Sequence, residues 1–334
     1  MQHYYAIEFH EDRVIILDQT KLPLDELYIV TDDYERIAEA IEKLEVRGAP
    51  AIGIAAAYAF ALAMRKSKLN GDLRQRIDAV YERLKATRPT AVNLFWALDR
   101  MKYVAENSNL EEMSDNLIIE AVKIHSEDIE MCKRIGENGL EIFSEKKRVL
   151  THCNTGKLAT GGDGTAFSVI KKAFENGMVK HVFADETRPL LQGSRLTAYE
   201  LEKLGIPFSI NVDSTASVLI RDGMVDLVIT GADRIAKNGD SANKIGTYNL
   251  AVNCKFHNIP FYIAAPSSTI DLKCDTGNQI NIEYREANEL TSIGNKSFTK
   301  DTYNVFAPAF DVTPAELITG IITDKELYQY PYKF

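Results

Sequence analysis

The sequence predicts an α/β protein in two parts, and three patterns predict it. From Arg148 onward, short apolar runs of strand character ("RVLTHC", "KHVFADE", "PFSINVD", "VDLVITGAD", "PFYIAAP") alternate with helical runs ("TAFSVIKKAFENG", "GSRLTAYELEKLG", "TASVLIRDG", "NKIGTYNLAVNCKFHN"). Such alternation makes βαβ units, which build a parallel sheet. These strands are also apolar on both faces, as burial between two helix layers requires. The first part lacks the alternation and carries helices behind a small sheet. The expected domains are a mainly helical one with a short β-sheet over residues 1–122 and a parallel-sheet one over residues 123–334.

Taken in order, "HYYAIEFH", a turn at "EDR" and "VIILDQT" read as two strands. In "DDYERIAEAIEKLEV", Tyr34, Ile37, Ile41 and Leu44 fall at helical spacing, with Asp32 or Asp33 as cap. "VRGAP" interrupts, and "PAIGIAAAYAFALAM" follows with Pro50 near its first turn. That stretch is apolar on all sides but shorter than the roughly 20 residues of a membrane span, so it predicts a buried helix. "DLRQRIDAVYERLKAT" and "RPTAVNLFWALDRMKYVAEN" predict two more helices, the second after a turn at Arg88-Pro89, and "SDNLIIEAVKIHSEDIEMCKRIGENGLEIF" a long one. Near the C-terminus, "TPAELITGIITDKEL" predicts a last helix, with Thr313 at the cap, Pro314 first and Glu316 completing a capping box.

With 334 residues, 45% hydrophobic and 26% charged, the chain has material for one large or two medium cores. A formal net charge of −9 argues against general binding to nucleic acid or to a membrane surface. An anionic ligand then needs a local cluster of Arg, Lys and backbone N–H groups. "MQHYYAIEFHEDRVI" has no basic segment followed by an apolar run, so no signal peptide is expected. Cys132, Cys153, Cys254 and Cys274 sit far apart without a CxxC pair, which suits reduced thiols in the cytoplasm.

In an open parallel sheet, ligands bind beyond the C-terminal ends of the strands. Cys153, Asp185 with Glu186, Asp213 and Asp233 all fall at such ends. An isolated acid there is commonly a cap or turn residue, and a free cysteine is commonly a buried thiol. Cys254, inside an apolar helix, fits that description. Cys153 differs because it opens the glycine-rich "THCNTGKLATGGDG". A dyad with His152 is disfavoured, since consecutive strand residues face opposite sides, and no other Cys or His lies at zinc-ligand spacing. The glycines fit neither GxxxxGK[ST] nor GxGxxG, so they read as a close-approach turn or a plain turn. In "GADRIAKNGDSANKIGTY", Asn238-Gly239-Asp240 is a turn and Asn243 with Lys244 opens the next helix, where an anion is favoured. Arg47 and Arg88 each precede an apolar helix, placed either for phosphate or for helix carbonyls.

"VRGAPAIGIAAAY", "RPTAVNLFWALDRM", "THCNTGKLAT", "ADETRPLLQGSRLTAYEL", "GADRIAKNGDSANKIGTYNLAV", "PFYIAAPSSTIDL" and "FDVTPAELITGIIT" together resemble the 5-methylthioribose-1-phosphate isomerase family. The likeness spans nearly the whole chain. Related families are 5-deoxyribose-1-phosphate isomerases, ribose-1,5-bisphosphate isomerases and non-catalytic regulatory subunits of a translation-initiation exchange factor. The resemblance implies a small helical N-terminal domain on a Rossmann-like parallel-sheet domain, a cytoplasmic homodimer, and a sugar-phosphate substrate isomerised with no metal or nucleotide cofactor. The family's catalytic residues fall on Cys153 and Asp233. Its substrate contacts fall on Arg47, Gly48, Ala49, Arg88, Gln192, Asn243 and Lys244. Departures at Asp163, Thr215 and Ala307 leave a 5-deoxy sugar as the alternative substrate. On this reading Asp233, its pKa raised in an apolar pocket, is the general acid, and Cys153 mediates proton transfer.

Overall fold

An antiparallel sheet opens the chain: β1 (Ile7–His10) pairs with β2 (Arg13–Leu17), and β2 with β3 (Tyr28–Thr31). The computed structural model describes residues 4–66, 73–88, 92–294, 296–300 and 302–334. The turn placed at Arg88-Pro89 lies partly outside them. The chain forms two compact units, one of residues 2–130 and 156–164, the other of residues 131–155 and 165–334.

In the first unit, α1 (Tyr34–Glu42) is capped by Asp33, whose carboxylate accepts from the Glu35 N–H, and it buries Ile37 and Ile41 as their spacing predicts. The apolar stretch becomes α2 (Ala49–Arg65), buried continuously from Ala51 to Met64. Two further helices pack with it, α3 (Leu73–Lys85) and α4 (Val92–Asn107). A Cβ on Gly53 would lie 2.8 Å from the Asn93 carbonyl oxygen, so only glycine admits this approach of α2 to α4. The long helix α5 (Met113–Asn138) gives residues to both units. Among the described residues no helix is long and apolar enough to cross a membrane.

The second unit is built on a seven-stranded sheet. Its strands in chain order are β4 (Lys147–Thr151), β5 (Val179–Asp185), β6 (Phe208–Asn211) and β7 (Leu227–Thr230). A side sheet then begins with β8 (Arg234–Ala236) and β9 (Ser241–Lys244), after which β10 (Phe261–Ala264) returns to the main sheet. Helices α6 (Ala166–Glu175), α7 (Ala198–Leu204), α8 (Thr215–Arg221) and α9 (Thr247–His257) connect these strands. The side sheet is completed by β11 (Ile270–Asp271) and β14 (Phe310–Thr313), which flank α10 (Ala287–Thr291) and the small hairpin β12 (Ser292–Ile293) and β13 (Lys296–Ser297). Last come β15 (Gly320–Ile322) and β16 (Leu327–Gln329).

The main sheet runs in the order β16-β15-β10-β7-β4-β5-β6. All neighbours pair in parallel except β15 with β16. Omitting β16, this is the 3-2-1-4-5-6 order of a doubly wound sheet. Two apolar cores lie against it, one around Leu250, Cys254 and Ile263, the other around Phe167, Ile170 and Leu201. The expected Rossmann-like sheet, following a helical N-terminal part in the chain, is therefore present.

Two expectations fail. "TPAELITGIITDKEL" is no helix: Thr313 ends β14, Ala315–Leu317 makes one tight turn, Gly320–Ile322 is β15, and Leu327 opens β16. The local capping signal is overridden because the β-branched run Ile321-Ile322 pairs with Ile263 and Ala264 in the buried sheet. Meanwhile the Ala315 N–H donates to Asp240 rather than to a cap at Thr313. Asn243 and Lys244, in turn, do not open a helix. They end strand β9, paired with Asp311 and Phe310 of β14, and α9 starts only after Gly246.

Candidate active site

The strand order reverses between β4 and β7, so their C-terminal ends border the crevice where doubly wound sheets bind ligands. Cys153 comes two residues after β4 and Asp233 three residues after β7. The strands are direct neighbours, with Leu150 opposite Val228 and the Thr151 hydroxyl donating to the Ile229 carbonyl (2.9 Å). The thiol and the carboxylate thus leave the sheet at one end from adjacent strands.

Cys153 is held firmly. Its backbone is left-handed (φ 66°), as are Thr187 (φ 60°) and Leu191 (φ 59°). For non-glycine residues each such conformation costs on the order of 1–2 kcal/mol, so the surroundings must enforce it. The Cys153 N–H donates to Thr187 Oγ1 (2.8 Å), and Thr197 Oγ1 donates to the Cys153 carbonyl (2.6 Å). Thr187 is fixed in turn, because its N–H and that of Arg188 donate to the two carboxylate oxygens of Asp213 (2.7 Å each). Thr197 arrives on a wide helical turn, Gly193–Thr197, that runs into α7. A Cβ on Gly193 would fall 1.6 Å from the Asp185 carbonyl oxygen, so glycine is required there.

Asp233 contrasts with this. Its N–H donates to the Ala242 carbonyl (2.9 Å), which starts the β8–β9 hairpin, while the residue itself is exposed. The apolar pocket expected around it is not what surrounds it here.

Of the expected substrate contacts, Gln192, Asn243 and Lys244 share the unit of Cys153 and Asp233, whereas Arg47, Gly48, Ala49 and Arg88 belong to the other unit. Gln192 is almost fully buried, and its Oε1 has no hydrogen-bond partner among the described residues. Asn243 donates to Thr247 Oγ1 (2.9 Å). Lys244 Nζ donates to the Ala309 carbonyl (2.9 Å) and lies 4.2 Å from the centre of the Phe310 ring. The start of α9 already holds an anion, the Asp311 carboxylate, which accepts from the Gly246 (2.7 Å) and Tyr248 (3.0 Å) N–H groups. Burial nonetheless pushes the Asp311 carboxyl up from its usual value.

In the other unit, Gly48 caps α2 in a glycine-favoured conformation (φ 92°), where a Cβ would meet Ala159 at 2.4 Å. Ala49 is the first residue of α2 and Arg88 follows α3. Arg47 carries a buried Nη1 without a hydrogen-bond partner among the described residues. Native proteins rarely leave such donors and acceptors unsatisfied away from a ligand or water. Of the glycines after Cys153, Gly161 serves packing: a Cβ on it would strike His125 and Ile54, and its N–H is taken by Asp128 (2.6 Å). Asp163 faces Lys157 at 3.9 Å.

His152, set aside as a partner for Cys153, proves to be a hub. It is 1% exposed. Its Nδ1 meets Asp185 Oδ2 and its Nε2 meets the Ile245 carbonyl, both at 2.9 Å. A carbonyl only accepts, so Nε2 carries a proton, and Nδ1 and Asp185 share a second. Burial pulls the imidazole down, but the hydrogen bond and charge of Asp185 outweigh it, and the pKa of His152 lies above the usual histidine value. Burial also lifts Asp185. Asn211 donates to Asp185 Oδ1 (2.6 Å), which favours the carboxylate and leaves the second proton on His152. Asp213 Oδ1 lies 4.0 Å from Nδ1.

His152, Asp185 and Asp213 place one ligand atom each within 4.8 Å of one another. Every one of their carboxylate oxygens already accepts a hydrogen bond from His152, Asn211, Thr187 or Arg188. The group is built as a hydrogen-bond cluster, a donor set that a cation would have to dismantle. The signals for it in the sequence were the acids at two neighbouring strand ends and a histidine beside the strand-end cysteine.

This architecture defines a doubly wound α/β protein with its polar strand ends gathered at the switch point. The chain belongs to the initiation factor 2 subunit family, whose family model matches residues 45–328. It is 52% identical over 326 residues to a methylthioribose-1-phosphate isomerase of Carboxydothermus hydrogenoformans, covering 97% of this chain and 95% of that protein. Among solved structures, it matches the 5-methylthioribose 1-phosphate isomerase of Pyrococcus horikoshii OT3 with a TM-score of 0.93 and 42% identity, over 100% of this chain and 94% of that one. It also matches translation initiation factor eIF-2B subunit delta from A. fulgidus with a TM-score of 0.90 and 41% identity, over 99% and 97%.

Proposed function

We propose that the chain is an aldose–ketose isomerase that converts 5-methylthio-D-ribose 1-phosphate to 5-methylthio-D-ribulose 1-phosphate in methionine salvage. The observation that carries this is the departure of Cys153 and Asp233 from adjacent strands at the switch point, in a chain about half identical to such isomerases over nearly its full length. The phosphate on C1 blocks simple opening to an aldehyde, so the ring C–O bond must break with the phosphate in place. Asp233 donates a proton to the ring oxygen as that bond breaks. Cys153 accepts the C2 proton, giving an enol phosphate, and returns a proton to C1 while the C2 hydroxyl gives its own proton to the Asp233 carboxylate, forming the ketone and restoring the acid. A direct hydride shift from C2 to C1 is the rival route.

Because Asp233 is exposed, the bound sugar itself must supply the dry surroundings that general-acid work needs. Arg47, Gly48, Ala49, Arg88, Gln192, Asn243 and Lys244 are proposed to bind the sugar phosphate. The buried, unpartnered Arg47 Nη1 and Gln192 Oε1 support two of these assignments. No cofactor enters the scheme. The same reading takes the enzyme as a cytoplasmic homodimer; sedimentation at micromolar concentration tests the dimer.

The deciding experiment assays purified protein with methylthioribose 1-phosphate and 5-deoxyribose 1-phosphate side by side. The methylthio sugar should have the higher kcat/KM. Cys153→Ala and Asp233→Asn should each lower kcat by about 10²–10⁴-fold, while Arg47→Ala should act mainly on KM. Near-full activity in Cys153→Ala would remove the site assignment, and no turnover of either sugar would remove the isomerase reading. Washout of deuterium from C2 into water selects the proton route.

A further inference from the structure

The isomerase scheme uses Cys153 and leaves its neighbour His152 without a task, although His152 is one of the most enclosed polar residues of its unit. Its ring joins three segments distant in sequence: the end of β4, the end of β5, and the turn between β9 and α9. That last turn follows Asn243 and Lys244 directly. It is shaped to the ring, since a Cβ on Gly246 (φ 107°) would lie 2.9 Å from His152 Cε1.

We propose that His152, held as an imidazolium between Asp185 and the Ile245 carbonyl, is a positioning residue that locks the Cys153 turn and the Lys244–Gly246 turn into one arrangement. The proposal rests on the isomerase reading for the role of Cys153. Removing the Nδ1 proton leaves two acceptors face to face at 2.9 Å, so the ring's tie from the segment after β4 to the end of β5 is lost, beyond the paired residues of the two strands. The charged groups facing the ring make that loss unfavourable. They are Asp185 on β5, Asp213 after β6 and Asp311 on β14, with Lys244 on β9 opposing them through Asp311. Asp213 also fixes Thr187, which holds the Cys153 N–H, so one charge cluster supports both sides of the cysteine turn.

The test labels the full-length protein with 15N-histidine and follows the ring nitrogens against pH. One histidine, identified by its loss in His152→Gln or by its shift in Asp185→Asn, should keep both ring nitrogens protonated above the ordinary histidine range. In Asp185→Asn, which keeps shape but removes the negative charge, His152 should titrate. Activity of that variant should then fall about tenfold as pH rises across neutrality while the wild type does not, a profile that loss of packing alone does not produce. Wild-type turnover with a neutral His152, or a wild-type pH profile in Asp185→Asn, overturns the positioning role alone. Absence of wild-type turnover overturns the isomerase reading and the role together, whatever the ring nitrogens show.

Discussion

His152 is fully buried and His125 partly buried, one in each unit, and their charge states are set in opposite directions. His152 faces a carboxylate and a carbonyl, two acceptors, and is held charged. His125 faces the Tyr58 hydroxyl at Nδ1 (2.9 Å) and the Gly161 carbonyl at Nε2 (3.3 Å). Its Nε2 therefore carries the proton and its Nδ1 accepts from Tyr58, the pattern of a neutral imidazole. Burial dominates and lowers the pKa of His125. Burial thus pushes every histidine the same way, and the partners of the ring decide whether that push prevails. Each ring also presses on a glycine, His125 on Gly161 and His152 on Gly246. One histidine fastens a loop by shape and neutral hydrogen bonds, the other by charge.

The most severe way to break the contrast is to remove each ring. His152→Ala strands Asp185 as a buried carboxylate without its counter-charge, which should cost about 3–5 kcal/mol. His125→Ala removes only neutral hydrogen bonds and leaves a buried hydroxyl, about 1–3 kcal/mol. Urea unfolding followed by circular dichroism should rank them in that order. Equal losses would mean that His152 is not charged. The glycines come next. Gly161→Ala forces a methyl to within 2.5 Å of His125 Cδ2 and 2.7 Å of Ile54 Cδ1, an overpacking expected to cost about 1–3 kcal/mol. Gly246→Ala adds a left-handed backbone penalty of about 1–2 kcal/mol and displaces the His152 ring, so it should also lower kcat. Gly161→Ala replaced in the same assay sharpens the distinction between stability and positioning.

This contrast also marks what the sequence could disclose. The βαβ alternation places Cys153 and Asp233 at strand ends, because both depend on local patterns that a sequence carries openly. Strand alternation disfavours a Cys153–His152 dyad, but β4 ends at Thr151, before either residue; in the structure both ring nitrogens of His152 are taken by Asp185 and Ile245. The actual partners of His152 lie 33 and 93 residues away, Asp185 and Ile245, and no local rule reaches that far. The same limit explains the lost C-terminal helix. Thr313, Pro314 and Glu316 satisfy a capping rule, yet the pairing of Ile321 with Ile263 decides the segment. A capping box does form, at Thr276 and Gln279, where no tertiary strand competes. By its neighbours in sequence Lys244 reads as part of a helix start, but it ends β9, and Asp311, from a strand far along the chain, holds the start of α9.

A smaller effect separates the hydroxyl from the ring. Tyr58→Phe removes the donor to His125 Nδ1 and keeps the stacking on Phe9, whose ring centre lies 4.8 Å away. The expected cost is about 1 kcal/mol. Trp96, the chain's single tryptophan, lies on α4 of the same unit and reports the unfolding by fluorescence.

The finest discrimination is by pH, because the two histidines contribute with opposite sign. His125 has a folded pKa below its unfolded value of about 6.5. Between those values the unfolded chain binds more protons, so stability from this site is full above about pH 6.5 and declines as pH falls toward the folded value. His152 has a folded pKa above its unfolded value. Its contribution is full below about pH 6.5 and is lost only as pH rises through the folded value. His125→Gln should therefore flatten the decline of the Trp96-reported unfolding midpoint between about pH 6.5 and pH 5, and leave the alkaline limb unchanged. Asp185→Asn should instead flatten the alkaline decline, costing most stability below about pH 6.5, where the wild-type contribution of His152 is full, and little once alkaline pH has removed that contribution from the wild type as well. If both variants alter the same limb, the two rings do not differ in charge, and His152 is a buried neutral histidine like its counterpart.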